Sequence, residues 1–166
     1  QGVYEQIMIA ENMGNIGFEN FLHFALDYTE KDAKKLFYQA NIQGISVNTA
    51  YQYIVFHQCN EEYNARNERN TFLEAFQQNK LGKIGKIAFL DENDGLILLE
   101  AEKIYNSTLW MKDTTTELLK EFQRYIALKF ADMKLEFGIC QEEKTLLEIR
   151  ECVKKCQKVL KMGSII

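Results

Sequence analysis

Apolar residues recur along the chain at two kinds of spacing, and the changes between them mark out the elements. Val3 to Asn12 can form a short helix, interrupted by the glycines at positions 14 and 17. From Phe18 to Tyr28, the residues Phe18, Phe21, Leu22, Ala25 and Leu26 fall on one helical stripe. Thr29-Glu30-Lys31-Asp32 resembles a helix start, with a hydroxyl at the cap and a carboxylate three residues on, and the helix it opens is expected to stop near Gly44. Ile45 to Cys59 is rich in β-branched and aromatic residues, and Tyr51, Tyr53 and Val55 alternate with Gln52, Ile54 and Phe56, which predicts a strand. A helix from Asn48 competes, because Tyr51, Ile54, Val55 and Cys59 also fit helical spacing. The helical pattern returns from Ala65 to Asn79, with Phe72, Leu73 and Phe76 inward and Gly82 as the stop.

Two apolar runs follow, Lys83 to Leu90 and Leu96 to Tyr105, joined by Asp91-Glu92-Asn93-Asp94-Gly95. They read as a β-hairpin reversed on Asn, Asp and Gly. The second run can also be read as helix, which would make the whole chain all-α. Leu118, Leu119, Phe122, Tyr125, Ile126, Phe130 and Met133 then form the stripe of a long helix, Thr114 to Phe137, for which Thr114 and Glu117 supply a capping box. Across Gln141 to Met162, the residues Leu146, Ile149, Val153, Cys156 and Leu160 alternate at three and four. That seam runs for only about two heptads, so it is expected to pack on its own domain, the alternative being that it docks a partner helix.

Composition narrows the class. The chain has 166 residues, 46% hydrophobic and 12% aromatic, with no proline and no visible repeat; this describes one globular domain, 1–166, with 1–17 as an N-terminal extension and 141–162 as an added C-terminal helix. A net charge of -4 and a pI near 5.3 give no whole-protein attraction to nucleic acid or anionic membrane. No run approaches the ~18 apolar residues of a membrane span, and "QGVYEQIMIAENMG" lacks the layout of a signal peptide. Cys59, Cys140, Cys152 and Cys156 are too few and too irregular for a disulfide scaffold, so reduced thiols and a cytoplasmic location are expected.

Candidate chemistry is sparse. A calcium loop from Asp91 places Asn93 and Glu102 correctly but puts Gly95 at the fifth position, and the shifted frame begins at Leu90 and ends at Ala101, so neither frame works. His57, Cys59, Cys152 and Cys156 have zinc-ligand chemistry, yet Cys-x3-Cys is not a typical knuckle and Cys156 already belongs to the apolar seam. His23 sits on a largely apolar helix. No serine stands in a Gly-x-Ser-x-Gly setting, and "KLGKIGK" (Lys80 to Lys86) has neither phosphate-loop ending nor dinucleotide spacing. Its lysines can touch an anion, or simply solvate a hairpin edge. Glu100 and Glu102 are expected on one strand face as a solvated pair. The reading is therefore non-enzymatic, with no cofactor and no metal; the enzyme alternative would assemble a site from dispersed residues such as His57, Cys59 and Glu100.

The order helix, strands, helix, hairpin, long helix resembles the class I effector chaperones of type III secretion, most closely from Asn70 to Met133, where a helix ending in Asn-x-Leu (Asn79, Leu81) leads through an acidic glycine turn to a phenylalanine-striped helix. The bacterial YbjN-like proteins share this layout. The resemblance implies an α+β fold, an antiparallel sheet with flanking helices. It also implies a homodimer holding an extended segment of a client protein. It makes Phe72, Leu73 and Phe76 candidates for the dimer interface, and Phe21, Tyr53 and Val55 candidates for client binding. In the all-helical alternative, an interaction module or scaffold, Leu146, Ile149, Val153 and Leu160 form the seam for a partner helix.

Overall fold

A computed structural model describes residues 17–60, 68–107, 114–131 and 133–163. The helix expected over Val3 to Asn12 lies outside them. Helix α1 covers 17–27. A 3-10 turn, Glu30–Asp32, leads into α2, Ala33–Ile42. The remaining elements are β1 Tyr51–Gln58, α3 Arg69–Gln78, α4 Lys80–Ile84, β2 Gly85–Phe89, β3 Asp94–Glu100, α5 Ala101–Ser107, α6 Thr114–Lys129, β4 Leu135–Ile139 and α7 Ile149–Lys161.

The fold is α+β. Among the described residues, four strands form one antiparallel sheet in the order β2-β3-β1-β4. Strand β3 separates β1 from β2, and β1 separates β3 from β4, so the chain holds two interlocked split βαβ units. The all-α alternative and the helix from Asn48 are both excluded by β1, which pairs with β3 on one side and β4 on the other.

Alternation in β1 feeds two cores. Ile54 and Phe56 point with Ile87, Phe89, Ile97 and Leu99 toward α3, α4, α5 and α6. Tyr51, Tyr53 and Val55 point with Ala88, Leu96 and Leu98 toward α1, α2 and α7. Helices cover both faces, which is why β1 reads as nearly unbroken apolar sequence and is buried throughout except at His57. Phe72 is the hub of the first core, its ring 5.5–6.1 Å from those of Phe56, Phe89, Phe122 and Phe130.

Several predicted boundaries move. Gly44, with φ of +69°, follows α2 as expected, but Thr29 gives no backbone cap and spends its hydroxyl on Asp32 Oδ2 at 3.3 Å. Gly82 does not stop the third helix. Asn79 does: its backbone is extended and its Oδ1 accepts from Leu81 N at 3.1 Å, starting α4, so β2 begins at Gly85 and not Lys83. The run Leu96 to Tyr105 is both strand and helix, because Ala101 N donates to Ala50 O and the chain turns into α5 there. Glu102 therefore sits on a helix and not beside Glu100 on a strand face. The long helix ends at Lys129, not Phe137. Ala131 takes φ of +46°, and Gln123 then holds the next strand, donating to Met133 O at 2.9 Å and accepting from Leu135 N at 2.8 Å. Last, residues 141–145 are non-helical, with Lys144 bridging Tyr51, and α7 starts only at Ile149 after a 3-10 turn.

Candidate functional site

The residues expected to face a partner lie inside the protein's own core. Phe72, Leu73 and Phe76 pack beneath α6, and Phe21, Tyr53 and Val55 pack on the opposite sheet face. The Tyr53 hydroxyl donates to Thr145 O at 2.9 Å. Leu146, Ile149 and Val153 are buried and Leu160 half-buried against the sheet, as the short seam predicted. Gly138 permits that docking, since a Cβ there would lie 2.1 Å from Cys156 O.

The acid-base and thiol groups are dispersed. Cys140, Cys152 and Cys156 are buried together under α7, where burial, reinforced by the Cys140 thiol, pushes Cys152 and Cys156 up to about 12. The Cys156 thiol donates to Tyr53 O at 3.1 Å. Cys59 is elsewhere, its thiol near His57 O and not the ring, and burial with the neighbouring Glu136 carboxylate raises it too. Glu100 pairs in register with Tyr51, six residues along β1 from His57, which is about 20 Å in a strand. His57, Cys59 and Glu100 are thus not brought together. His23 is on the exposed side of α1. Among the described residues, no group of three or more His, Cys, Asp or Glu side chains is placed to hold a metal ion.

The acidic turn is an Asx turn. Asp91 Oδ1 accepts from the backbone amides of Asn93 at 3.0 Å and Asp94 at 2.8 Å, so the carboxylate closes the hairpin. Gly95 is already in β3, and what it supplies is room: a Cβ there would lie 2.2 Å from the Phe56 ring. Across the ladder, Asp94 Oδ1 meets His57 Nδ1 at 2.6 Å. Burial holds the Asp94 carboxyl above the ordinary carboxylate range, with His57 opposing and Asp91 adding to the shift.

Two surface features go beyond the predicted site residues. One is α2, which buries only Leu36 and Ala40 and leaves Phe37, Tyr38 and Ile42 exposed at 42%, 65% and 57%. Its trace in the sequence is three apolar residues off the Leu36-Ala40 stripe. The other is a cleft of about 300 Å³ at one end of the sheet, bordered by Lys83, Lys86 and Lys103. "KLGKIGK" signals two of those lysines; Lys103 arrives only through the turn into α5. No family model, curated protein or solved structure matches this chain.

Proposed function

We propose that this chain is a non-enzymatic protein-binding domain that pairs with a second copy of itself through α2. The observation that carries the reading is the exposure of Phe37, Tyr38 and Ile42 on one short helix whose opposite side is anchored in the core. Clustered apolar side chains on a surface mark association sites. A two-fold contact needs the same patch on both partners, which one helix crossing its copy provides. Such pairing sets Lys34 and Lys35 of one copy toward the C-terminal, carbonyl-bearing end of the other's α2, a favourable pairing with the helix dipole. A single-helix patch falls at the small end of interface sizes, below about 1,200 Å², so the association is reversible. In the chaperone form of this reading, an extended client segment adds to an edge strand, β2 or β4, because helices cover both sheet faces.

Sedimentation equilibrium over a wide concentration range tests it. The wild-type chain is expected to show a monomer-dimer equilibrium that Ile42→Glu weakens by about tenfold or more, while Leu128→Glu, on the exposed side of α6, leaves it intact. A monomer at every concentration, or an Ile42→Glu variant that dimerises like the wild type, overturns the assignment to α2.

A further inference from the structure

The cleft lies where β1 and β2 begin and β3 ends, roofed by α4, the start of α5 and the Gly44-Ile45 turn after α2. Its volume of about 300 Å³ is at the lower end of the range for small-molecule sites. Among the described residues, three ammonium groups and one carboxylate border it. Glu100 is already spent on Lys103, at 2.5 Å. Lys83 and Lys86 have no carboxylate partner among the described residues, and Lys86 instead lies over the Phe18 ring at 5.7 Å. The balance of the cleft is thus positive on a chain whose net charge is -4, and a concave wall concentrates that local field.

Ile45, Leu98 and the ring of Tyr51 supply its apolar lining. The Tyr51 hydroxyl is committed to Ser46 O at 2.9 Å. Three wall positions are glycine for reasons of fold. A Cβ at Gly85 would lie 2.2 Å from Leu98 O, one at Gly82 would lie 2.5 Å from Phe76 O, and Gly44 has φ of +69°. The consequence for the cleft is that no side chain projects into it from these three wall positions.

We infer that this cleft binds a phosphate monoester with a small organic body, the phosphoryl group held by Lys83 and Lys86 and the body laid on Ile45, Leu98 and Tyr51. Lysines acting as point charges suit a compact dianion, whereas the planar fork that selects a carboxylate is arginine's, and among the described residues no arginine lines the cleft. The inference is independent of α2 pairing: an Ile42→Glu chain should bind the same ligand.

Isothermal titration calorimetry on the full chain at low ionic strength, with ribose 5-phosphate, inorganic phosphate and succinate as probes, tests it. Ribose 5-phosphate should bind one to one, more tightly than either of the others, and the double variant Lys83→Gln/Lys86→Gln should weaken it by about tenfold or more. Lys129→Gln, a lysine on α6 away from the cleft, should leave binding unchanged. In a 15N-labelled wild-type chain, the amides of Gly44, Gly82 and Gly85 should shift on titration, a readout that needs no variant to fold. Absence of saturable binding by ribose 5-phosphate overturns the site, as does an equal loss in Lys129→Gln or a set of unmoved glycine amides. Succinate binding as tightly as the monoester overturns the phosphate assignment.

Discussion

Cys152 and Cys156 show how a residue type that suggests chemistry can be used for packing. Both face the sheet from α7, and the surroundings that suit them as small apolar side chains also hold their protons. Burial lifts each from the ordinary value of 9.0 to about 12. In the unfolded chain the thiols ionise near 9.0 while the folded protein keeps them neutral, so the unfolded state binds fewer protons as pH rises through that window. Stability contributed by these groups is therefore full below pH 9 and lost progressively toward about 12. Urea denaturation followed across alkaline pH should show that decline, and Cys152→Ala/Cys156→Ala should flatten it. An unchanged alkaline slope in the double variant would mean that other groups set it.

Between elements, one glutamine decides where a helix becomes a strand. Gln123 spends both ends of its amide on the backbone of the segment leading into β4. Replacing it with alanine leaves Met133 O and Leu135 N without those partners, a loss of about 1–3 kcal/mol, measurable as a lower urea midpoint with unchanged slope. The same join explains what sequence reading missed. Phe130, Met133 and Phe137 are spaced as on a helix, so the stripe ran on through them, although Leu135, Phe137 and Ile139 equally spell a strand. The break rests on Ala131 in the left-handed region and on a side chain from earlier in the helix, neither of which is a local pattern. Helices α1 and α3 and the docking of α7 were legible because each is amphipathic, and the hairpin because Asp91 to Gly95 stand between two apolar runs. The cleft was legible only as a lysine run, since Gly44, Tyr51 and Lys103 reach it from other segments.

At the scale of the whole molecule, helices cover both sheet faces and, among the described residues, the sheet ends on two edge strands, β2 and β4. Beside β2 the two helical layers are tied together: Arg69 of α3 pairs with Glu19 of α1, and its guanidinium stacks on Phe89 at 5.3 Å. Burial lowers the Arg69 pKa, and Glu19 meets the charge across the layers. In the proposed pairing, contact through α2 would be two-fold and close at two copies, whereas strand-to-strand contact along both edges has no such end. The Glu19-Arg69 tie holds α1 and α3 together beside the β2 edge. Arg69→Gln should convert slow, concentrated storage of the chain from clear solution to thioflavin-positive fibrils while its melting temperature changes little, and fibrils appearing equally in the wild type would sink the idea. On this account, resistance to fibril growth from the β2 edge would depend on an ionic clasp, separately from the depth of the core.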